Sequence, residues 1–187
     1  LENLENYCCM FDIEFSQLES RIEYEHPLSK SKCATIEGYI EDNGRIVYAD
    51  RAVTSLTELD YKTFSKFYKW KNCRIFNFRR FKKGYLPKDL ILSVLKFYGD
   101  KTKLKGVEGK EVEYLNSKEN ANSTYGMMVT DICRDEIVYI DEWGTMPADI
   151  DEIISRYNKS RNRFLYYPWG VWITAYARYN LFSGILA

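Results

Sequence analysis

The chain has 187 residues, 45% of them hydrophobic and 16% aromatic, and its 27 basic side chains balance 27 acidic ones. That length and apolar content predict one or two domains with a real core, and no internal repeat or low-complexity tract is present. No apolar run reaches membrane-spanning length, because Arg178 and Asn180 break the final one, and residues 1–6 carry no basic n-region, so neither a membrane span nor a signal peptide is expected.

In chain order, Phe11-Asp12-Ile13-Glu14-Phe15 alternates apolar and acidic residues and predicts a half-buried strand. Two β-rich runs, 34–40 and 45–50, flank Asp42-Asn43-Gly44, where Asn-Gly tolerates positive φ and predicts a hairpin. Thr57-x-x-Asp60 has the form of a capping box that opens a helix to about Trp70. Cys73 to Phe81 then reads as another strand, completing an α+β unit of antiparallel strands with a helix over residues 1–86. Pro87 suits the first turn of a helix whose apolar stripe is Leu90, Ile91, Val94, Leu95 and Tyr98, with Gly99 as its stop. A connector over 100–109 leads to a second helix at about 110–128, so 87–130 reads as a helical hairpin. Residues 131–167 hold a strand, Ile137-Val138-Tyr139-Ile140, a turn near Gly144 and an amphipathic helix around 149–158. Pro168 opens the last helix, 168–187. The fold class is α+β.

Charge is unevenly placed. From Lys62 to Lys110, fifteen Lys/Arg stand against three acids, an excess of twelve positive charges interleaved with Phe and Tyr. Such a block is a candidate phosphate-tracking surface; a solvated charged face is the plainer reading. Cys8, Cys9, Cys33, Cys73 and Cys133 are odd in number and lack C-x-x-C spacing, which predicts reduced thiols in a cytosol-like compartment and neither a disulfide framework nor a zinc site. His26, beside Pro27, is expected at the surface or in a turn.

Two stretches carry the functional chemistry. In Lys118-Glu119-Asn120-Ala121-Asn122-Ser123-Thr124-Tyr125-Gly126, a cation, an amide, a ring and a glycine fall at i, i+4, i+7 and i+8, which is one helical face. An ammonium for phosphate, a phenol ring for sugar and base and a bare backbone for close approach suit a nucleotide. In Pro168-Trp169-Gly170-Val171-Trp172-Ile173-Thr174-Ala175-Tyr176-Ala177-Arg178, Thr174 and Arg178 at i and i+4 aim two phosphate-seeking groups from one rigid element.

Together, Lys-x-x-x-Asn-Ser-x-Tyr-Gly followed by Thr-x-x-Ala-Arg resembles the family B DNA polymerases of bacteriophages and prophages, specifically the protein-primed branch. The first motif is similar to motif B of that family's fingers and the second to its Thr-x-x-Gly/Ala-Arg palm motif. The resemblance implies that 1–86 corresponds to the first terminal-protein region, 87–130 to the fingers, 131–167 to the second terminal-protein region and 168–187 to a returning palm helix. It implies that Lys118 pairs with the triphosphate of an incoming dNTP, and that Asn122 and Tyr125 line the nucleotide pocket, Tyr125 packing on base and sugar. Ser123 and Gly126 are then near the template, and Thr174 and Arg178 touch DNA near the primer terminus. Lys105 and Lys110 are weaker phosphate candidates, because the family's second fingers lysine does not align cleanly. The plainer alternatives are a core-edge ring for Tyr125 and a helix salt bridge for Arg178. The family has Leu between its Lys and Asn, where this chain has Glu119, Asn120 and Ala121.

Polymerases hold two Mg²⁺ ions about 3.5–4 Å apart with carboxylates. The family's Asp-x-x-Ser-Leu-Tyr and Tyr-x-Asp-Thr-Asp motifs, which supply them, are not in this sequence. The expectation is therefore an interior fragment of a polymerase, inactive alone, with no catalytic or metal-binding residue of its own. Phe11-Asp12-Ile13-Glu14 matches an exonuclease Asp-x-Glu pair, but a strand with acids on its wet face is the expected reading. Tyr139-Ile140-Asp141-Glu142 is expected to be a strand edge. Expected partners are primer-template DNA, dNTP and a terminal-protein primer, in the cytoplasm of a bacterial host, with self-association favoured where apolar edges are open. The alternative is a non-catalytic DNA-binding or protein-docking module, or a degenerate prophage remnant.

Overall fold

The computed structural model describes residues 7–187, and the opening stretch that was read against a signal peptide lies outside them. The chain forms two compact units, one of residues up to Gly84 together with Trp172–Ala187, the other of Tyr85–Val171. Both mix helix and strand, so the α+β class holds.

The first unit is built on a five-stranded antiparallel sheet. Strand β1 (Tyr7–Ser20) is central; β3 (Arg45–Thr57) pairs along one edge, and β2 (Cys33–Asp42) continues beyond it. The other edge of β1 takes β5 (Asn72–Lys82) along Tyr7–Ser16 and the short β4 (Tyr68–Lys69) at Glu19–Ser20. Asn43 and Gly44, at φ 47° and 75°, form the expected β2–β3 turn. Alternation along β1 buries Cys9, Phe11, Ile13 and Phe15, then skips to Leu18. The break lies at Gln17, whose φ is 50°, in the cross-strand row that also contains Gly38 at φ 52°.

Helix α1 (Glu58–Phe67) follows β3 through the predicted capping box: Thr57 Oγ1 accepts from the Asp60 N–H, and the Asp60 carboxylate accepts from the Thr57 N–H. It ends at Phe67 rather than near Trp70, because Tyr68 joins the sheet as β4. Phe64 and Phe67 pack into a core with Phe11, Ile13, Phe15, Leu18, Ile46 and Phe182. Tyr68 is fully buried there; its hydroxyl donates to the Ile46 carbonyl (2.7 Å) and accepts from the Leu28 N–H (3.2 Å), and burial pushes its pKa upward. His26 is buried rather than at the surface, 4% exposed, because Pro27 and Leu28 beside it enter the interior and Ser20 Oγ satisfies its Nδ1 at 2.8 Å.

The second unit holds α2 (Lys88–Leu104), α3 (Glu111–Met128), a β6–β7 hairpin (Glu136–Ile140, Glu142–Met146), α4 (Ile150–Lys159) and the first turn of α5 (Tyr167–Ile185). Gly99 does not stop α2. A glycine inside a helix costs about 1 kcal/mol without breaking it, and the helix runs on to Leu104, with Gly106 at φ 75° just beyond. The hairpin turns at Asp141, φ 67°, and Gly144 lies within β7 instead of in the turn. On α2, Leu90, Ile91 and Val94 are half-buried, while Leu95 and Tyr98 of the predicted stripe are exposed. Gly170 lets α5 pass closely over the end of α3: a Cβ there would overlap the Val129 side chain.

Replacing Tyr68 with Phe leaves the Ile46 carbonyl and Leu28 N–H without their buried partner. The expected loss is about 1–3 kcal/mol of unfolding free energy, read as a lower urea midpoint at unchanged slope.

Candidate functional site

The nucleotide-type motif occupies the C-terminal half of α3. Thr124 and Met128 are buried and Ser117 and Ala121 half-buried, which defines the inward side of the helix. Lys118 and Asn122 each lie one residue on from Ser117 and Ala121, Gly126 lies further around the helix, and all three are exposed, with half-buried Tyr125 at the seam. Lys118, Asn122, Tyr125 and Gly126 thus share a face, as their spacing predicts. Ser123 is exposed but further around the helix. The polar turn Glu119-Asn120 stays in solvent, and the Asn120 carbonyl accepts from Thr124 Oγ1 at 2.8 Å. No atom lies within 4 Å of a Cβ built on Gly126, which leaves its backbone open to approach. Lys105 caps the end of α2 and is exposed. Lys110 caps α3, and its ammonium bonds Glu113 at 2.7 Å; that hydrogen bond raises the Lys110 pKa and lowers that of Glu113.

Thr174 and Arg178 belong to the first unit, apart from the α3 motif. Along α5, Trp172, Ala175 and Phe182 are buried, and Arg178 falls on the same stripe, three residues after Ala175 and four before Phe182. Its guanidinium turns onto Asp60 of α1: Nε donates to Oδ1 at 2.8 Å and one terminal nitrogen to Oδ2 at 2.9 Å. The Asp60 side chain is 9% exposed and that of Arg178 46%. The same Asp60 oxygen accepts from the Thr57 hydroxyl at 2.8 Å, so one carboxylate serves the cap and the ion pair. Two residues earlier, Glu58 accepts from the Trp172 indole N–H at 2.8 Å and from the Cys9 N–H at 2.9 Å. Thr174 is half-buried.

Sequence reading found the capping box but not its second partner. A carboxylate one turn into a buried helix start demands a cation, and Arg178 is the one that tertiary packing delivers. The wet face of the sheet carries a further network: Glu37–Arg51 at 2.8 Å, Arg51–Glu14 at 3.0 Å and Glu14–Arg74 at 3.4 Å, crossing from β2 through β3 and β1 to β5. The Arg51 hydrogen bond, foremost, holds the Glu14 carboxyl below its ordinary range. Asp12 accepts from Ser55 and from Asn77 Nδ2. The Asp-x-Glu pair is thus engaged in cross-strand contacts. Among the described residues no group of three or more His, Cys, Asp or Glu side chains is placed to hold a metal ion. No described helix is long and apolar enough to cross a membrane.

No protein-family model matches the chain, and no curated protein does. Solved structures do match. Phi29 DNA polymerase in an orthorhombic crystal form is 20% identical, with a TM-score of 0.59 over 96% of this chain and 29% of that one. The phi29 DNA polymerase ternary complex with primer-template DNA and incoming nucleotide substrates is 19% identical, TM-score 0.61, over 95% and 28%. The post-translocation binary complex with primer-template DNA is 20% identical, TM-score 0.62, over 96% and 28%. The chain therefore has a polymerase-like fold and spans less than a third of the polymerase chains it matches.

Three substitutions probe the architecture around these residues. Arg178→Ala strands a buried carboxylate and is expected to cost about 3–5 kcal/mol, whereas Asp60→Ala frees a half-exposed Arg that water can serve and costs about 2–3 kcal/mol. Chemical denaturation of both variants and of the double variant checks the asymmetry. Gly126→Ala should leave thermal stability unchanged or raise it by up to about 1 kcal/mol, since the added methyl meets nothing and favours helix. A melting curve reads this.

Proposed function

We propose that this chain is part of a phage-type, protein-primed family B DNA polymerase, and that it contributes residues that hold dNTP and DNA. Lys118 takes the triphosphate charge, Asn122 and Tyr125 line the nucleotide pocket, and Ser123 and Gly126 approach the template. Thr174 and Arg178 approach the DNA near the primer terminus, with Lys105 and Lys110 as secondary phosphate contacts. The observation that carries this reading is the open face of α3, where Lys118, Asn122 and Gly126 meet solvent with Tyr125 at their edge, inside a polymerase-like fold. The lysine- and arginine-rich stretch from Lys62 to Lys110 supports a polyanionic partner.

In this proposal the two Mg²⁺ ions of nucleotidyl transfer are held by carboxylate motifs that this sequence does not contain, and the terminal protein serves as primer. The chain alone binds DNA without extending it. A non-catalytic DNA-binding or docking module is the second reading.

The chain should bind primer-template duplex with an affinity that falls by at least an order of magnitude between 50 and 200 mM salt, measured by fluorescence anisotropy. It should incorporate no nucleotide when Mg²⁺ and dNTP are added; incorporation would overturn the assignment of the metal-holding groups to other sequence. In the polymerase that contains this chain, Lys118→Ala should raise the apparent KM for dNTP about tenfold, roughly 1.4 kcal/mol. An unchanged KM would remove Lys118 from the triphosphate.

A further inference from the structure

The first unit contains a cavity of about 420 Å³ beside the Asp60–Arg178 pair, lined among others by Lys32, Arg45, Arg178, Asp60, Phe64 and Phe182. This volume lies within the range of small-ligand sites, about 300–1,000 Å³. Its charges do not cancel. Among the described residues Asp60 is the only acid on the lining, and it is already matched by Arg178. Lys30, Arg51 and Arg74 of the same unit each hold a carboxylate. Lys32 and Arg45 have none within ion-pair distance among the described residues, so they leave the cavity with an excess of two positive charges.

The backbone carrying these two cations is well tied. Thr54 Oγ1 donates to the Lys32 carbonyl at 2.8 Å, Ser29 and Arg45 form a β-bridge, and Arg45 Nη1 donates to the Pro27 carbonyl at 3.2 Å. The other Arg45 N–H groups and the Lys32 ammonium remain for a ligand. Arg178, held through Nε and one terminal nitrogen, still has the other terminal nitrogen of its fork. Three cations around one opening call for a group with several acceptor oxygens, and the Phe64 and Phe182 rings on the same lining suit an apolar body attached to it.

We propose that this cavity is a phosphate seat for a nucleotide unit, in which Lys32 and Arg45 join Arg178 in binding the phosphate and Asp60 orients Arg178. The seat deepens the DNA-holding reading and rests on it for its natural source of phosphate, a DNA strand; a free mononucleotide offers the same chemistry.

The test compares the wild-type chain with a Lys32→Gln/Arg45→Gln double variant and a Lys32→Arg/Arg45→Lys control, all at exposed positions and checked for fold by circular dichroism. Anisotropy with labelled primer-template duplex over a salt series is one arm, and NMR titration with dTMP is the other. The expected result is that the double variant loses duplex affinity about tenfold at low salt, that its log K against log salt slope falls by about 1.8, and that the charge-keeping control holds the wild-type slope. Duplex binding with unchanged affinity and slope in the double variant overturns the seat and leaves the DNA reading standing. If dTMP shifts the Lys32 and Arg45 resonances while duplex does not bind, the seat stands for a free nucleotide and the DNA reading fails. Binding of neither ligand overturns both.

Discussion

The Asp60 carboxylate is the point on which the first unit depends. It closes the cap of α1, takes the Thr57 hydroxyl and receives Arg178 through two parallel hydrogen bonds. A nearly buried carboxylate is tolerable only when its acceptor positions are filled, and here three different donor groups fill them. Glu58 repeats the device two residues earlier, tying the Trp172 indole to the start of β1. The two acids at the head of one short helix thus register α5 against the sheet. Between Trp172 and Arg178 along α5 stands half-buried Thr174.

That arrangement leaves part of the Arg178 side chain in solvent. Its stem lies on the buried stripe of α5 and two of its guanidinium nitrogens are engaged by Asp60, yet the side chain is 46% exposed. A guanidinium anchored along one edge is pre-oriented along the other, which lowers the ordering cost of meeting an anion. The ion pair with Asp60 therefore leaves room for the proposed DNA contact.

The second unit has the opposite economy of burial. No residue of α2 is buried, and Leu95, Tyr98, Ile137, Tyr139, Ile140 and Trp143 are exposed. Its helices satisfy their own backbones and its hairpin closes locally, so these elements form from short-range chemistry with little core behind them. The motif on α3 sits on this lightly packed hairpin, with Thr124 and Met128 as its inward anchors.

How far the residues could be read in advance follows the range of the interactions involved. The capping box at Thr57–Asp60, the Asn43-Gly44 turn, the strands around Phe11–Phe15 and Cys73–Phe81 and the shared face of Lys118, Asn122 and Gly126 depend on neighbours a few positions away, and all were legible. Gly99 and Gly144 misled because a glycine permits a break without requiring one, and the true turns, at Gly106 and Asp141, were chosen by helix and strand pairing. The burial of His26 was hidden because its partner, Ser20, and its apolar cover come from a fold-back of the loop after β1.

The sequence by itself determined the α+β character, the order of the elements and the two motifs that resemble a polymerase, because periodicity, capping and turn chemistry act locally. Tertiary structure alone decided that Arg178 would meet Asp60 across 118 positions, that Glu58 would hold Trp172, and that Lys32 and Arg45 would line the same cavity with no carboxylate at ion-pair distance among the described residues. Charge complementarity between distant segments is set by which strands pair and which helix faces them, and no local pattern encodes that choice.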